Sequence, residues 1–407
     1  MSEFTSESDQ LTPLVSNVLA IQDITWGSSK HAFVVRYRGM LTEESITAYD
    51  LLANDLKSHH LTPLFREEDG VHSISLIDRL PEPTLPNPNK NIILFILTLI
   101  SMLIAGASYA YEGEATGYIE LYRDLFQNLA SGIPFAASLL AILLAHEFGH
   151  YLAGRYHKTA VTLPYFIPLP LPVSFGTMGA FIQMKEPPKN KRVLHDIGIA
   201  GPLAGLVVAI PLLLWGISLS EISPLPIQIP EGSGLMLEGN SIFYLFSKYI
   251  ITGQLLPSPV DYQGVAPIIY WVKYLISGYP TPLGGLDIQM HSIAWAGWAG
   301  LLVTALNLIP VGQLDGGHIL YVLFDKHVRK IYPFAMGLLI LLGTYWSGWW
   351  FWAFMLFFMG RTHAEPLDQI TKLTPGRKIL SIATIVIFVL IFTPVPLRLI
   401  SGPYFGP

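Results

Sequence analysis

No cysteine occurs in the 407 residues. That excludes disulfides, thiolate metal sites and a cysteine nucleophile, and it leaves the redox compartment open. Charge is scarce as well: Asp, Glu, Lys and Arg together make up 13% of the chain, against about 25% in a soluble domain. With 51% hydrophobic residues and a mean hydropathy of +0.46, so few charges do not cover a water-facing surface, and lipid must be part of the solvent. The net charge of -5 is small and not basic, so no nucleic-acid partner is expected. The opening MSEFTSESDQ lacks the basic start and apolar core of a cleavable signal peptide, and none is expected. No internal repeat is visible.

What the chain does contain divides near residue 88. Residues 1–88 hold 13 of the 29 acidic residues and read as a soluble α+β domain. HAFVVRYRGML predicts a strand. TEESITAYDLLANDLKSHH predicts a helix opened by Thr42 as capping residue. LTPLFREEDGVHSISLI predicts a strand pair turning at Asp69-Gly70. The proline-rich run 81–91 is a linker.

Residues 89–407 carry apolar stretches at 91–111, 132–153, 196–219, 291–311, 331–346, 348–360 and 379–396. The expectation is a polytopic α-helical membrane protein with about seven transmembrane helices. The stretches at 331–346 and 348–360 are shorter than the roughly 20 residues of a full span. Charge favours keeping them as a hairpin. With the N-terminus inside, the inner loops hold Arg155, Lys158, Lys185, Lys189, Lys191, Arg192, Lys326, Arg329, Lys330, Arg361, Lys372, Arg377 and Lys378. The outer segments hold only Arg123, Lys248, Lys273 and Arg398, a positive-inside bias. The tip TYWSGWWFW is expected at the outer interface. An inner or plasma membrane is the expected location, with the N-terminal domain and the site described next towards the cytoplasm.

Two connections are too long for turns. Residues 154–195 contain LPYFIPLPLPVSFGTMGAFIQM, apolar but broken by Pro and Gly. A re-entrant β segment is expected there, ending in a strand from Thr177 to Met184, covered by protein or a water cavity. In residues 220–290, SIFYLFSKYI and PIIYWVKYLI are expected to lie along the membrane interface.

The chemistry concentrates in LLAHEFGHYL, residues 143–152. His146 and His150 are four apart, so a helix puts both imidazoles on one face. Neutral imidazole is a good zinc ligand. Glu147 points about 100° away, placed to take a proton from a zinc-activated water. HExxH is therefore the compact form of a zinc hydrolase site. The alternative, a polar helix end facing water, is disfavoured because a charged group deep in a membrane helix costs about 2.5–3.5 kcal/mol. A catalytic zinc keeps three protein ligands. Asp315, in NLIPVGQLDGGHIL just past the fourth span, reaches the same membrane side in this topology. Its alternative is an ordinary Asp-Gly turn with Gly316 and Gly317.

HEFGH in one membrane helix followed by NLIPVGQLDGG in a later one resembles the site-2 protease family of intramembrane zinc metalloproteases. The resemblance covers roughly 130–325, including GIAGPLAGL at 198–206. LAGRYHKTAVTLPYFIPLP and FGTMGAFIQM are similar to the branch with the chloroplast and cyanobacterial EGY-type proteins, without a PDZ-like insert. It implies one Zn2+ held by His146, His150 and Asp315, with Glu147 as catalytic base. Asn307 would donate a hydrogen bond to substrate or transition state, or else cap or pack its helix. The substrate implied is a membrane protein with a transmembrane helix, cut within the bilayer. Such a helix must unwind to be cut, and the strand at 177–184 is expected to hold it by main-chain pairing. Gly176, Gly179 and Phe181 are the substrate-binding candidates there.

Other polar residues are assigned modest roles. His318 is expected beside the metal or at a helix interface. His195-Asp196 is expected to cap the third span, and His291 starts the fourth on the outer side. His363 and Glu365 are expected in a solvated inner loop. Gly201, Gly205, Ala296 and Gly300 are expected to pack the third span on the fourth. Three other readings stand beside the protease. A CAAX-type membrane zinc protease would take a glutamate as third ligand. A metal transporter would spread acidic groups along a pore, and a catalytically dead scaffold would lack an intact site.

Overall fold

Apolar runs set the architecture, because a chain in lipid must satisfy its backbone hydrogen bonds within its own helices. The computed structural model describes residues 3–28, 31–84, 86–111, 113, 117–170, 174–230, 234–359 and 365–401.

The N-terminal part is a four-stranded antiparallel sheet with two helices. α1 (Glu3–Ser16) leads into β1 (Leu19–Trp26), β2 (Val35–Leu41), α2 (Ser45–Asp55), β3 (Leu61–Glu68) and β4 (Val71–Asp78), in sheet order β1-β2-β4-β3. Alternation along β2 and β4 sends Val35, Tyr37, Ile74 and Leu76 into a core with Leu52, Leu56 and Phe65. Asp69 and Gly70 both have positive φ, as a tight hairpin turn requires. α1 and β1 are additions that the polar N-terminal sequence does not announce. Thr42 does not cap α2. The helix starts at Ser45 behind Glu44, while the Thr42 amide donates to the Val18 carbonyl and its hydroxyl to that of Asn17.

β3 would be an exposed edge, and exposed edges invite unwanted pairing. A segment from the far end of the chain covers it. The Phe65 amide donates to the Leu367 carbonyl, and the Gln369 amide donates back to Phe65. On its other side the same segment bonds residues 188–189, through the Leu367 and Asp368 amides. Asp368, fully buried, accepts from the Ser45 hydroxyl at 2.8 Å, from the amides of Ile370 and Thr371, and from the Thr371 hydroxyl. Glu365 faces Arg66 at 3.8 Å; His363 lies outside the described residues.

All seven expected apolar stretches are helical. Three helices are long and apolar enough to cross a membrane, by length and composition: α3 (Asn89–Tyr109), α5 (Ile133–Tyr156) with the turn before it, and α6 (Lys191–Ser218). α4 (Tyr118–Gln127) joins the first two, and the hairpin of β5 (Tyr165–Pro168) and β6 (Thr177–Phe181) joins the second and third. The expected strand to Met184 is thus shorter, and paired. β7 (Glu221–Pro224), β8 (Gly234–Glu238), α7 (Ile242–Thr252), α8 (Pro267–Ser277) and β9 (Leu286–Gln289) form the long excursion.

The shorter helices follow: α9 (Ser292–Asn307), α10 (Asp315–Phe324), α11 (Val328–Leu342), α12 (Gly348–Met359) and α13 (Pro375–Ile391). β10 (Leu397–Ser401) then pairs with β8 as β7 does with β9. Beneath the two small sheets, Lys248 is fully buried between Glu238 and Asp287, at 3.7 and 3.5 Å. Burial, with Asp287 beside it, pushes the Glu238 carboxyl up to about 7. The aromatic tip between α11 and α12 is unevenly exposed. Trp350 is half exposed, but Trp349 is fully buried and donates to the Pro394 carbonyl.

α5, α6 and α9 form the centre of the helical part. α6 lies on α9 through small residues, as expected, with Gly300 among them but with Gly216 and Gly297 in place of Gly201 and Gly205. A Cβ at Gly216 would strike Ala294, one at Gly297 would strike Leu213, and one at Gly300 would strike Ile142 and touch Ala209. Gly201 and Gly205 face α5 instead.

Asp368→Ala is expected to leave the Ser45 and Thr371 groups unpaired and to loosen the N-terminal sheet by about 2 kcal/mol or more. Limited proteolysis of the 81–88 linker should then run faster than in the unaltered chain; an equal rate would count against this docking.

Candidate metal centre

α5 carries His146, Glu147 and His150 at 3%, 2% and 6% exposure, inside an otherwise apolar bundle. The i, i+4 spacing brings the two Nε2 atoms to 3.2 Å. α10 brings the third group. One oxygen of Asp315, Oδ2, lies 3.4 Å from His146 Nε2 and 3.3 Å from His150 Nε2. Among the described residues these three form the one group of three or more His, Cys, Asp and Glu side chains close enough to hold a metal.

The triangle can be tested for fit. Zinc bonds of about 2.0–2.2 Å to His and carboxylate ligands put tetrahedral ligand atoms about 3.3–3.6 Å apart, and the short end of that range applies to the His nitrogens. The observed edges are 3.2, 3.3 and 3.4 Å. Protonation points the same way. His150 Nδ1 sits 2.7 Å from the Ile197 carbonyl, where only an N–H is favourable, so Nε2 carries the lone pair of the neutral ring. That lone pair faces a second imidazole nitrogen and a carboxylate oxygen. Such a grouping is repulsive unless a cation or proton lies among them. The residues therefore fit a tetrahedral divalent ion.

Close approach depends on glycine. A Cβ at Gly201 would lie 2.1 Å from His150 Nε2, and one at Gly205 would lie 3.2 Å from His146 Nδ1. His318 fills the next place on the same face, its Cβ 3.2 Å from where a Gly198 side chain would begin. It is a buried interface residue. Asp315 is set by a break between helices. α9 stops at Asn307, and α10 begins at Asp315 itself. Cβ atoms at Gly316 and Gly317 would strike the carbonyls of Leu308 and Gly312 at 2.0 and 2.4 Å. The two glycines are helical and let the break fold tightly against α10, so Asp315 is not an Asp-Gly turn.

Asn307 ends α9 with its side-chain amide 3.2 Å from His146 Nε2. Glu147 receives the Ile182 amide, just past β6, and lies near enough to His146, His150 and Asp315 to feel each charge. Its Oε2 is buried without a hydrogen-bond partner, an arrangement proteins rarely leave idle. The hairpin candidates differ among themselves. Gly176, at φ +75, backs onto α3, where a Cβ would meet Met102 Cα at 2.5 Å. Gly179, at φ +105, faces open space. Phe181 is half exposed and stacks on Tyr165. Among the described residues β6 pairs only with β5, which leaves its other edge without a strand partner.

Two expectations need correction. His195 and Asp196 do not cap α6; Asn190 does, its Oδ1 accepting from the Val193 amide at 3.0 Å. Gly201 and Gly205 seat histidines rather than α9. His291 does cap α9, accepting from the Ile293 amide. The Ile197 carbonyl and the Ile182 amide were invisible in sequence, since any residue supplies them; the glycine spacing was the only available signal.

A polytopic helical fold around a buried His-His-Asp centre beside an unpartnered glutamate defines the class as a membrane metallopeptidase fold. Residues 134–344, just over half of the chain, match the model described as "Peptidase family M50". The chain belongs to that family and is membrane-associated. It is similar to "Probable zinc metalloprotease EGY1, chloroplastic" of Arabidopsis thaliana, 26% identical over 319 residues that cover 75% of this chain and 52% of the relative. The protein of the same name in Oryza sativa subsp. japonica is 28% identical, with 75% and 50% covered. "Probable zinc metalloprotease EGY2, chloroplastic" of Oryza sativa subsp. indica is 23% identical, with 89% and 62% covered. The chain thus spans about half to three-fifths of the length of these relatives. No solved structure matches it significantly.

Gly201→Ala is expected to drive the His150 ring from its seat and reduce bound metal from one equivalent to near zero, whereas Gly337→Ala, where a Cβ meets nothing within 4 Å, should retain it. Metal analysis of the two purified variants checks this.

Proposed function

We propose that the chain is a zinc-dependent endopeptidase that cuts a membrane-protein substrate in or near a transmembrane segment. One observation carries the reading: an ion-sized His146–His150–Asp315 triangle with the unpartnered Glu147 Oε2 beside it. The family and the names of the relatives support it. The aspartate in the third position favours this class over the CAAX type, and the single cluster among the described residues favours it over a transporter.

His146, His150 and Asp315 would hold one Zn2+. When bound, the ion supplies Lewis-acid activation of the scissile carbonyl and of water. Glu147 is the general base: Oε2 takes a proton from the attacking water and later delivers it to the leaving amine. The Ile182 amide holds the other side of that carboxylate. Asn307 donates its side-chain N–H towards the carbonyl oxygen as negative charge develops. The strand-free edge of β6 pairs with the unwound substrate, with Gly179 leaving room and Phe181 supplying apolar contact. Gly176 supports this edge by packing the loop on α3.

All seven apolar helices together make the membrane domain of residues 89–407, with the shorter ones completed by flanking turns, and residues 1–88 form the domain on the same side as the site. The Lys and Arg distribution supports an inner or plasma membrane with that side facing the cytoplasm.

Glu147→Gln is expected to keep one zinc and lose cleavage of a membrane-embedded reporter by about 10²-fold or more. Asp315→Ala should lose both zinc and cleavage; normal turnover by either variant would end the assignment. Proline at Ala180 should abolish cleavage of the membrane reporter while zinc content stays at one equivalent, and unchanged cleavage would remove β6 from the mechanism.

A further inference from the structure

Asp196 takes no part in the chemistry above, yet its carboxylate gathers three helices. Oδ1 accepts from Arg377 Nε and from His195 Nδ1, both at 2.8 Å. Oδ2 accepts from Arg377 Nη2 at 2.6 Å and from His157 Nε2 at 3.0 Å. Arg377 stands in the first turn of α13, and His157 ends α5. The two-pronged arginine contact fixes orientation as well as charge.

The position of this clamp matters. His157 follows His150 by seven residues, two helical turns along one face of α5. Asp196 directly precedes Ile197, whose carbonyl orients His150. α5 and α6 are thus joined at two adjacent points, His157 to Asp196 and His150 to Ile197. Beyond these points α6 offers α5 small residues: Gly201 and Gly205 lie against the imidazoles, and Ala200 and Ala204 lie against Gly149. A face of glycine and alanine permits close approach but raises only a low side-chain ridge to set the register. Something else must hold α6 in place along α5, and a displacement of about 1 Å would take the carbonyl out of hydrogen-bond range of Nδ1.

We propose that Asp196 is a positioning residue for the metal centre: tied to His157 and Arg377, it holds α6 so that the Ile197 carbonyl fixes the tautomer and aim of His150. Arg377 is in turn carried by the strap that covers β3, which is tied to α6 again where Arg192 donates to the Lys372 carbonyl at 2.9 Å. This rests on reading the centre as a zinc site.

The test uses the full chain in detergent or nanodiscs, with Asp196→Asn, Arg377→Lys and His157→Gln. Zinc affinity is measured by chelator competition, the ligand field by the visible bands of the Co2+-loaded protein, and fold stability by melting of the metal-free protein. Asp196→Asn is expected to weaken zinc about 10–100-fold and to change the Co2+ bands. Arg377→Lys, which keeps the charge and loses the fork, should move both readouts less and in the same direction. Variants that melt earlier yet bind zinc and Co2+ as the unaltered chain does would make the cluster a structural staple only and overturn the proposal. If Asp196→Asn does not fold, the two milder variants decide by the same readouts. An unaltered chain that binds no zinc would overturn the zinc reading together with this proposal, whereas zinc held equally by all four proteins overturns this one alone.

Discussion

A neutral imidazole can hold a cation only if one nitrogen keeps its lone pair and the other has somewhere to put its proton. Here the Ile197 carbonyl accepts a hydrogen bond from the Nδ1–H of His150, and the rest of the centre is arranged around that contact. It requires α6 to run close against α5, which requires glycine at 201 and 205. It also requires α6 not to slide. The N-cap at Asn190, the Asp196 clamp and the contact of Arg192 with the strap all act on its first turns.

The break between α9 and α10 is the second constraint. Irregular backbone at membrane depth is tolerated only where protein covers it. Leu308, Ile309 and Val311 are buried, and the turn closes on itself through amides such as Val311 to Ile309. A continuous helix there would have no free end at which to present Asp315 and Asn307 together. The same economy appears in the hairpin, where one backbone amide at Ile182 meets Glu147 while β6 keeps, among the described residues, an edge without a strand partner.

The N-terminal sheet does not hang on a free tether. Its edge strand is completed by residues 366–369, which also bond the segment leading into α6. The sheet and the segment leading into α6 are thus hydrogen-bonded to the same stretch of chain. The contact costs nothing in exposed hydrophobic surface, since Ile370 and Leu367 join the module's own core.

The sequence by itself determined which side chains gather at the centre and the helical character of the membrane part. A four-residue spacing, an apolar run and an Asp in a glycine-rich break are local patterns with local physical consequences. It determined three of the four strands of the N-terminal sheet, because period-two alternation is likewise local. Only the tertiary structure decided which glycines face which helix, since Gly201 suits α9 or a histidine equally well until α6 has a rotation. Only it revealed that Asp196 is a clamp rather than a cap, because its partners lie 39 and 181 residues away. Backbone groups such as the Ile197 carbonyl have no letter in the sequence, and their roles exist only once two helices meet.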